Sequence, residues 1–251
     1  TIVKAPRPDQ TMIHVYPDHT ELGRVFQSDL PIASGIGAFV SKARRHLQLD
    51  PGRWATWLKD GRADFDAWTV PGEVPGPLNP AELFVQLRDI LPDEAIITTD
   101  AGNFAGWTSR FYRFRKYRTQ LGPGNGSMGY GMPAAIAAKT ACPDVPVICH
   151  AGDGGILMTG NELATAVQHD LPIVLIIANN SMYGTIRMHE EREYPGREIA
   201  THLRNPDFVA WAEAFGAQGE RVTTTEEFRP AMERALAAGR PAVIELVVDQ
   251  E

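Results

Sequence analysis

The sequence predicts an α/β fold, a parallel β-sheet covered by helices on both faces, with a partial α/β remnant ahead of it. Three observations carry this. From residue 79 onward, short apolar runs alternate with longer helical patterns. The runs "AIITTD", "VPVICH", "LPIVLIIA" and "PAVIELVVD" are apolar with little polar alternation, as in strands buried on both faces. Two of them lead into Gly152-Asp153-Gly154-Gly155 and Asn179-Asn180, at the carboxyl ends of strands, where such sheets bind ligands.

Residues 1–48 hold a strand over 11–16, a helix near 19–27, a short strand near 30–33 and a helix over 35–47. That is too little to close a core. The chain begins at Thr1 and enters strand-like "MIHVY" at once, so a start inside a larger polypeptide is expected. Residues 49–78 read as a linker, with an amphipathic helix in "RWATWLKDGRADFDAW" and then "VPGEVPGPLNP". The prolines and glycines of the latter break regular structure and mark a domain boundary.

Residues 79–251 form the main domain. Asn79-Pro80 is an N-cap and first helical residue for "AELFVQLRDIL". A strand, "AIITTD", and a helix near 103–113 follow. "MGYGMPAAIAAKTA" is a small-residue helix and "VPVICH" a strand. Thr159 with Glu162 makes a capping box for the next helix, before the strand "LPIVLIIA". Asn205-Pro206 caps "DFVAWAEAFG", which Gly216 ends. "AQGERV" is a short strand, Thr224 and Glu227 cap a helix ending at Gly239, and "PAVIELVVD" is the last strand.

Composition narrows the function. A net charge of −7 over 251 residues argues against a general nucleic-acid binder. The basic cluster "RFYRFRKYR" (110–118) reads as a solvated helix face or subunit contact. No apolar run approaches the roughly 18 residues of a membrane span. The two cysteines, Cys142 and Cys149, lie in or beside apolar sequence without a matching Cys/His cluster, so they read as reduced thiols. No signal-peptide pattern is visible, and the cytoplasm is expected.

Asp153 and Asn180 are 27 positions apart, with one helix and one strand between them. That is the length of a crossover between parallel strands, which can return both residues to one rim of the sheet. A carboxylate and an amide oxygen are hard ligands. They suit Mg²⁺, which takes few protein ligands and fills its shell with phosphate and water. Glycines let main-chain N–H groups approach phosphate oxygens, and a helix opening near Thr159 can add its positive end. A Gly-Asp-Gly turn alone is a common loop; the ordered pair at this spacing is specific.

"GDGG…NN" resembles the cofactor motif of thiamine-diphosphate-dependent enzymes, in the branch of acetolactate synthase and the 2-oxo-acid decarboxylases. The resemblance covers nearly the whole chain. It implies that 79–251 is the diphosphate-binding domain and 1–48 the tail of the central domain, without the pyrimidine-binding domain. It implies thiamine diphosphate and Mg²⁺ as cofactors, with Asp153 and Asn180 as side-chain ligands of the ion and the main-chain oxygen of Met182 as a third. Gly152, Gly154 and Gly155 would meet diphosphate, as would the turn Ala101, Gly102, Asn103 and Phe104. Tyr183, Gly184 and Thr185 would continue that surface beyond the Asn pair. Met128 matches the large apolar residue that bends the cofactor, with Gly126 and Ser127 beside it.

The resemblance further implies decarboxylation of a 2-oxo acid, followed by aldehyde release or carboligation. The catalytic glutamate would come from the missing domain of a partner subunit, in a homodimer or homotetramer with the active site between subunits. The fragment alone is then expected to be inactive. Whether FAD is bound is left open, because most of the central domain lies outside this sequence.

Five positions depart from the family pattern. Relatives often carry Ser or Ala where Gly155 stands, and a Gln-His pair where Asn103 and Phe104 stand. Biosynthetic acetolactate synthases usually carry Met and Trp where Thr185 and His189 stand, which points away from dedicated branched-chain biosynthesis. His189 either faces substrate as a catalytic group or is a solvated helix residue. Ile186 and Met188 either line a pocket or pack as core, and "HEEREYPGRE" (189–198) reads as a lid or loop. The alternative function is a non-catalytic Mg-diphosphate-binding or assembly module of the same fold. A nicotinamide-dependent oxidoreductase is disfavoured. "GPGNGSMG" has glycines but lacks the ribose-binding acid at the right distance.

Overall fold

The computed structural model describes residues 3–48 and 50–250. The chain divides into two compact units, Thr1–Asp64 and Phe65–Glu251. In the first, β1 (Ile13–Tyr16) pairs in parallel with β2 (Leu30–Ala33), followed by α1 (Ile36–His46). None of its described residues is fully buried, as expected of a piece too small to enclose a core. The helix expected near 19–27 does not form; that stretch is turns and bends, and Gly23 within it has φ +84°. The helix expected in "RWATWLKDGRADFDAW" forms as α2 (Ala55–Trp68), and the division between the units falls within it.

The second unit is built on a six-stranded, all-parallel sheet. Its elements in chain order are α3 (Pro80–Ile90), β3 (Ile96–Thr99), α4 (Ala105–Phe111), β4 (Gln120–Leu121), α5 (Gly131–Ala141) and β5 (Val147–Gly152). Then come α6 (Asp153–Thr159), α7 (Leu163–Gln168), β6 (Ile173–Asn179), α8 (Gly184–Glu193), α9 (Phe208–Ala214), β7 (Gln218–Val222), α10 (Thr225–Ala237) and β8 (Ala242–Val247). The strand order is β4-β3-β5-β6-β8-β7. From β3 the chain steps outward to β4, and from β5 it steps the other way to β6. The connections leaving β3 and β5 therefore diverge, and a crevice opens above their carboxyl ends.

Side chains of successive strand residues point to opposite faces, and the core splits accordingly. Ile97, Ile148, Val174, Ile176 and Ile244 pack under α3 and α10. Val147, Cys149, Ile173, Leu175 and Ile177 pack under α5, α6, α7 and α9. Both layers are apolar, which is why the strands read as continuous hydrophobic runs.

The helix ends follow local chemistry, with two corrections. Asn79 caps α3, its Oδ1 accepting from Ala81 N–H at 3.1 Å ahead of Pro80. Glu227 accepts from Thr224 N–H at the start of α10. Thr159 and Glu162 form no capping box. Thr159 ends α6 and donates to the Gly129 carbonyl, while Glu162 accepts from Thr165. Asn205 does not cap α9 either. Asp207 does, accepting from Val209 and Ala210 N–H groups, which frees Asn205 for another role.

The basic cluster is solvent-exposed at Arg113 and over 115–118, and several of its cations have partners. Arg110 stacks on Trp68, Arg113 on Phe65, and Arg115 and Lys116 pair with Asp93 and Glu94. Cys142 and Cys149 are free thiols; burial pushes the Cys149 thiol up to about 12, an inert form. No helix among the described residues is long and apolar enough to cross a membrane.

Candidate cofactor site

A cleft of about 1250 Å³ lies at the carboxyl end of the sheet, walled by the segments that follow β3, β5, β6 and β8. Register alone brings its two principal residues together. Gly152 pairs with Ala178 across β5 and β6, so Asp153 and Asn180, each shortly past its strand, reach the same rim. Both line the cleft.

Asp153 is not in a loop. Gly152 is the last residue of β5 and Asp153 the first of α6, so the strand passes directly into the helix. The expected helix opening near Thr159 is thus displaced to Asp153 itself. Asp153 is 3% exposed. Burial pushes its carboxyl above the usual carboxylate range, and hydrogen bonds from Asn205 and the N–H groups of Gly154, Ser181 and Met182 pull against that. Asn205 Nδ2 lies 2.7 Å from Oδ2, and Gly154 N lies 2.9 Å from Oδ1. All of these donors are neutral amides.

A buried carboxylate met only by amides is a donor set that a cation completes. One carboxylate, one carboxamide and the main chain at Met182 suit Mg²⁺. Among the described residues no cluster of three His, Cys, Asp or Glu side chains gathers as a zinc site would need. The chemistry of the residues present therefore fits a hard divalent ion.

Asn179 and Asn180 have different surroundings. Asn179 Oδ1 accepts from Ser181 N–H at 3.0 Å and Asn205 Nδ2 at 2.8 Å, and its Nδ2 donates to Glu245 at 2.7 Å. Its amide is spent on protein partners. Asn180 has one contact from its side-chain oxygen, to Met182 N–H at 3.3 Å. The second asparagine is the one left to serve a ligand. Met182 is held by an antiparallel bridge to His202, flanked by Tyr183 N–H to Thr201 O at 2.8 Å and Leu203 N–H to Ser181 O at 2.9 Å.

The glycines are needed by the fold as well. A Cβ on Gly152 would come within 2.8 Å of the Phe104 ring. One on Gly154 would come within 2.5 Å of Tyr183. Aromatic rings from two loops lie against the strand end and the first helical turn.

Of the other expected residues, Ala101, Asn103, Phe104, Met128, Gly155, Tyr183, Gly184 and Thr185 also line the cleft. Asn103 N–H donates to Thr185 Oγ1 at 2.9 Å, tying the turn after β3 to α8. Gly102, Gly126 and Ser127 are exposed and outside the cleft wall. His189 is not brought to the site: it is exposed on α8, its Nδ1 beside Arg192 at 3.0 Å. Ile186 and Met188 do line the cleft, each about half-exposed. The expected lid is helical through Glu193, with Arg187 and Glu191 paired at i, i+4 spacing.

Three groups escaped the sequence reading. Asp100, 2% exposed, accepts from the N–H groups of Ala101, Gly129 and Tyr130 at 2.8–3.0 Å, anchoring the loop that carries Met128. Asn205 reads as a helix cap in "NPDF" but bonds Asp153. Glu245 looks like one polar residue in a strand, yet it is 3% exposed and joins Asn179 to Arg221. Asp100 sat within a quoted motif; nothing local marks the other two.

A parallel sheet covered by helices on both faces, with a cleft at its carboxyl end, is the architecture of a thiamine-diphosphate-binding domain. The chain belongs to that family: residues 100–246 match the thiamine pyrophosphate enzyme C-terminal TPP binding domain. It is similar to the acetolactate synthase large subunit of Parasynechococcus marenigrum, 34% identical over 248 residues, covering 96% of this chain and 40% of the relative. The corresponding subunit of Corynebacterium glutamicum is 34% identical over 259 residues, 97% of this chain and 41% of the relative. The large subunit of Escherichia coli acetolactate synthase isozyme 3 is 29% identical over 243 residues, 91% and 41%. The chain thus spans about two fifths of the length of these curated relatives.

Proposed function

We propose that this chain is the diphosphate- and Mg²⁺-binding part of an acetolactate-synthase-like enzyme acting on 2-oxo acids. Residues 79–251 are the cofactor domain, 49–78 the linker and 1–48 the tail of the central domain. The observation that carries the reading is the pairing of β5 with β6, which brings Asp153 and Asn180 to the wall of one cleft. Asp153, Asn180 and the Met182 main chain would hold the ion. The N–H groups of the first turn of α6 would meet the diphosphate. Bound thiamine diphosphate would supply the electron sink for decarboxylating a 2-oxo acid.

The chain's own residues do the rest. Met128, on a loop anchored by Asp100, would support the cofactor rings. Ile186 and Met188 present an apolar wall to the substrate. Phe104 and Tyr183 cover the strand end and restrict water. The catalytic glutamate lies in a pyrimidine-binding domain of a partner subunit in a homo-oligomer, and this stretch alone does not turn over. Whether the acyl unit leaves as an aldehyde or joins a second 2-oxo acid is decided by groups that meet this cleft from elsewhere in the assembly.

The test is titration calorimetry of the full-length protein with thiamine diphosphate and Mg²⁺. Saturable binding that requires the ion is expected, and Asp153→Ala should abolish it. Asp153→Ala binding as tightly as the wild type would remove the ion assignment. Binding without turnover of any 2-oxo acid would favour a non-catalytic module.

A further inference from the structure

Asn205 stands behind Asp153, outside the cleft wall. Its Nδ2 donates both to Asp153 Oδ2 at 2.7 Å and to Asn179 Oδ1 at 2.8 Å. Asn179 donates to buried Glu245 Oε1 at 2.7 Å, and Glu245 Oε2 accepts from Arg221 Nε at 2.7 Å. Arg221 also donates to Asp207 Oδ1 at 3.0 Å. Asp207 caps α9 two residues after Asn205. The chain of bonds closes on itself, from β5 through β6, β8 and β7 to the start of α9. Each link is a hydrogen bond between named side chains, although Asn205 Oδ1 is itself buried without a partner, and Asn205 is the ring member that touches the Asp153 carboxylate.

We propose that Asn205 is a positioning residue for Asp153. This rests on the reading of Asp153 as an ion ligand. With both Nδ2 hydrogens engaged, the Asn205 amide holds Oδ2 from behind, while Gly154 N–H holds Oδ1. The carboxylate cannot rotate without breaking a bond to a group that the ring itself fixes. Asn205 is delivered by the segment whose Thr201 and Leu203 pair with Tyr183 and Ser181. The same strap thus orders the main chain at Met182 and the carboxylate at Asp153. Outer partners of this kind set the orientation of a ligand rather than touch the ion, and their loss typically weakens metal affinity about 10–100-fold.

The experiment measures Mn²⁺ binding by electron paramagnetic resonance, with thiamine diphosphate present, in the full-length protein. Thermal unfolding of the ion-free protein is followed in parallel. Asn205→Ala should weaken Mn²⁺ binding about 10–100-fold, and Asn205→Ser, which keeps one donor, should fall between it and the wild type. Should the alanine variant fail to fold, the serine variant carries the test against the wild type. Unchanged Mn²⁺ affinity in the Asn205 variants, with a lowered unfolding temperature, would reduce Asn205 to a structural role and overturn the proposal. Asp153→Ala is the reference. Lost binding in Asp153→Ala with normal binding in Asn205→Ala sinks this inference alone. Normal binding in Asp153→Ala sinks it together with the assignment beneath it.

Discussion

The Asp100 carboxylate fills the space that a side chain at residue 155 would enter: a β-carbon built on Gly155 collides with Asp100 Oδ2. These residues lie past the ends of β3 and β5, the two strands at which the sheet changes direction. Gly155 lines the cleft, and Asp100 packs behind it. Gly155→Ser should therefore destabilise the fold by about 1–3 kcal/mol, the usual cost of overpacking a tight site. Thermal unfolding would show it as a lower midpoint. An unchanged midpoint would mean that Asp100 yields without losing its partners.

Asp100 itself holds three main-chain N–H groups, those of Ala101, Gly129 and Tyr130. Asp100→Ala leaves them without that acceptor, at roughly 1–3 kcal/mol for each donor that stays buried. The loop bearing Met128 should loosen. Hydrogen exchange at Gly129 and Tyr130 should accelerate more than exchange in the strand core, and equal acceleration throughout would point to global destabilisation instead.

His150 is buried in β5 between the rings of Phe84 and Phe104, with Nδ1 2.8 Å from Thr108 Oγ1. Burial holds its imidazole near about 3, against 6.5 when free. The unfolded chain therefore binds a proton that the folded protein refuses. The stability due to neutral His150 is fully present above about pH 6.5 and is lost as pH falls toward about 3. In urea denaturation at a series of pH values, His150→Asn should flatten the acid side of the stability curve. Parallel curves for wild type and variant would assign the acid sensitivity to other groups.

Asn79 caps α3 by accepting from Ala81 N–H, and its own N–H donates to the Thr225 hydroxyl at 2.8 Å. The main-chain link to Thr225 survives truncation of the side chain, but the cap does not. Asn79→Ala should cost about 0.5–2 kcal/mol, read as a lower urea midpoint at constant slope. Asn79→Ser should recover most of it.

Much of the architecture was legible in the sequence because its signals are local. Continuous apolar runs identify β3, β5, β6 and β8, since both faces of each are covered. Asn79-Pro80 and Thr224 with Glu227 mark helix starts through bonds that span a few residues. Where a local signal had a competitor, it misled. Asn205 and Asp207 both resemble caps, and only one can occupy the end of α9. Thr159 had a better partner in the Gly129 carbonyl, 30 positions away. The two-residue strand β4 is too short to show a period and exists because β3 offers an edge.

By itself the sequence determined the sheet-and-helix alternation, the family, and the spacing that puts an acid and an amide on adjacent strand ends. Those depend on periodicity and on crossover length. The tertiary structure decided the sheet order, and with it the crevice between diverging connections. It also decided that Asn179 is spent on Glu245 and Asn205 while Asn180 stays available, and that His189 is exposed on α8 and does not line the cleft. The fate of Asn179 turns on hydrogen-bond partners tens of residues distant in the chain. A buried polar group takes whichever partner the packing brings within 3 Å or so, and no local pattern encodes that choice.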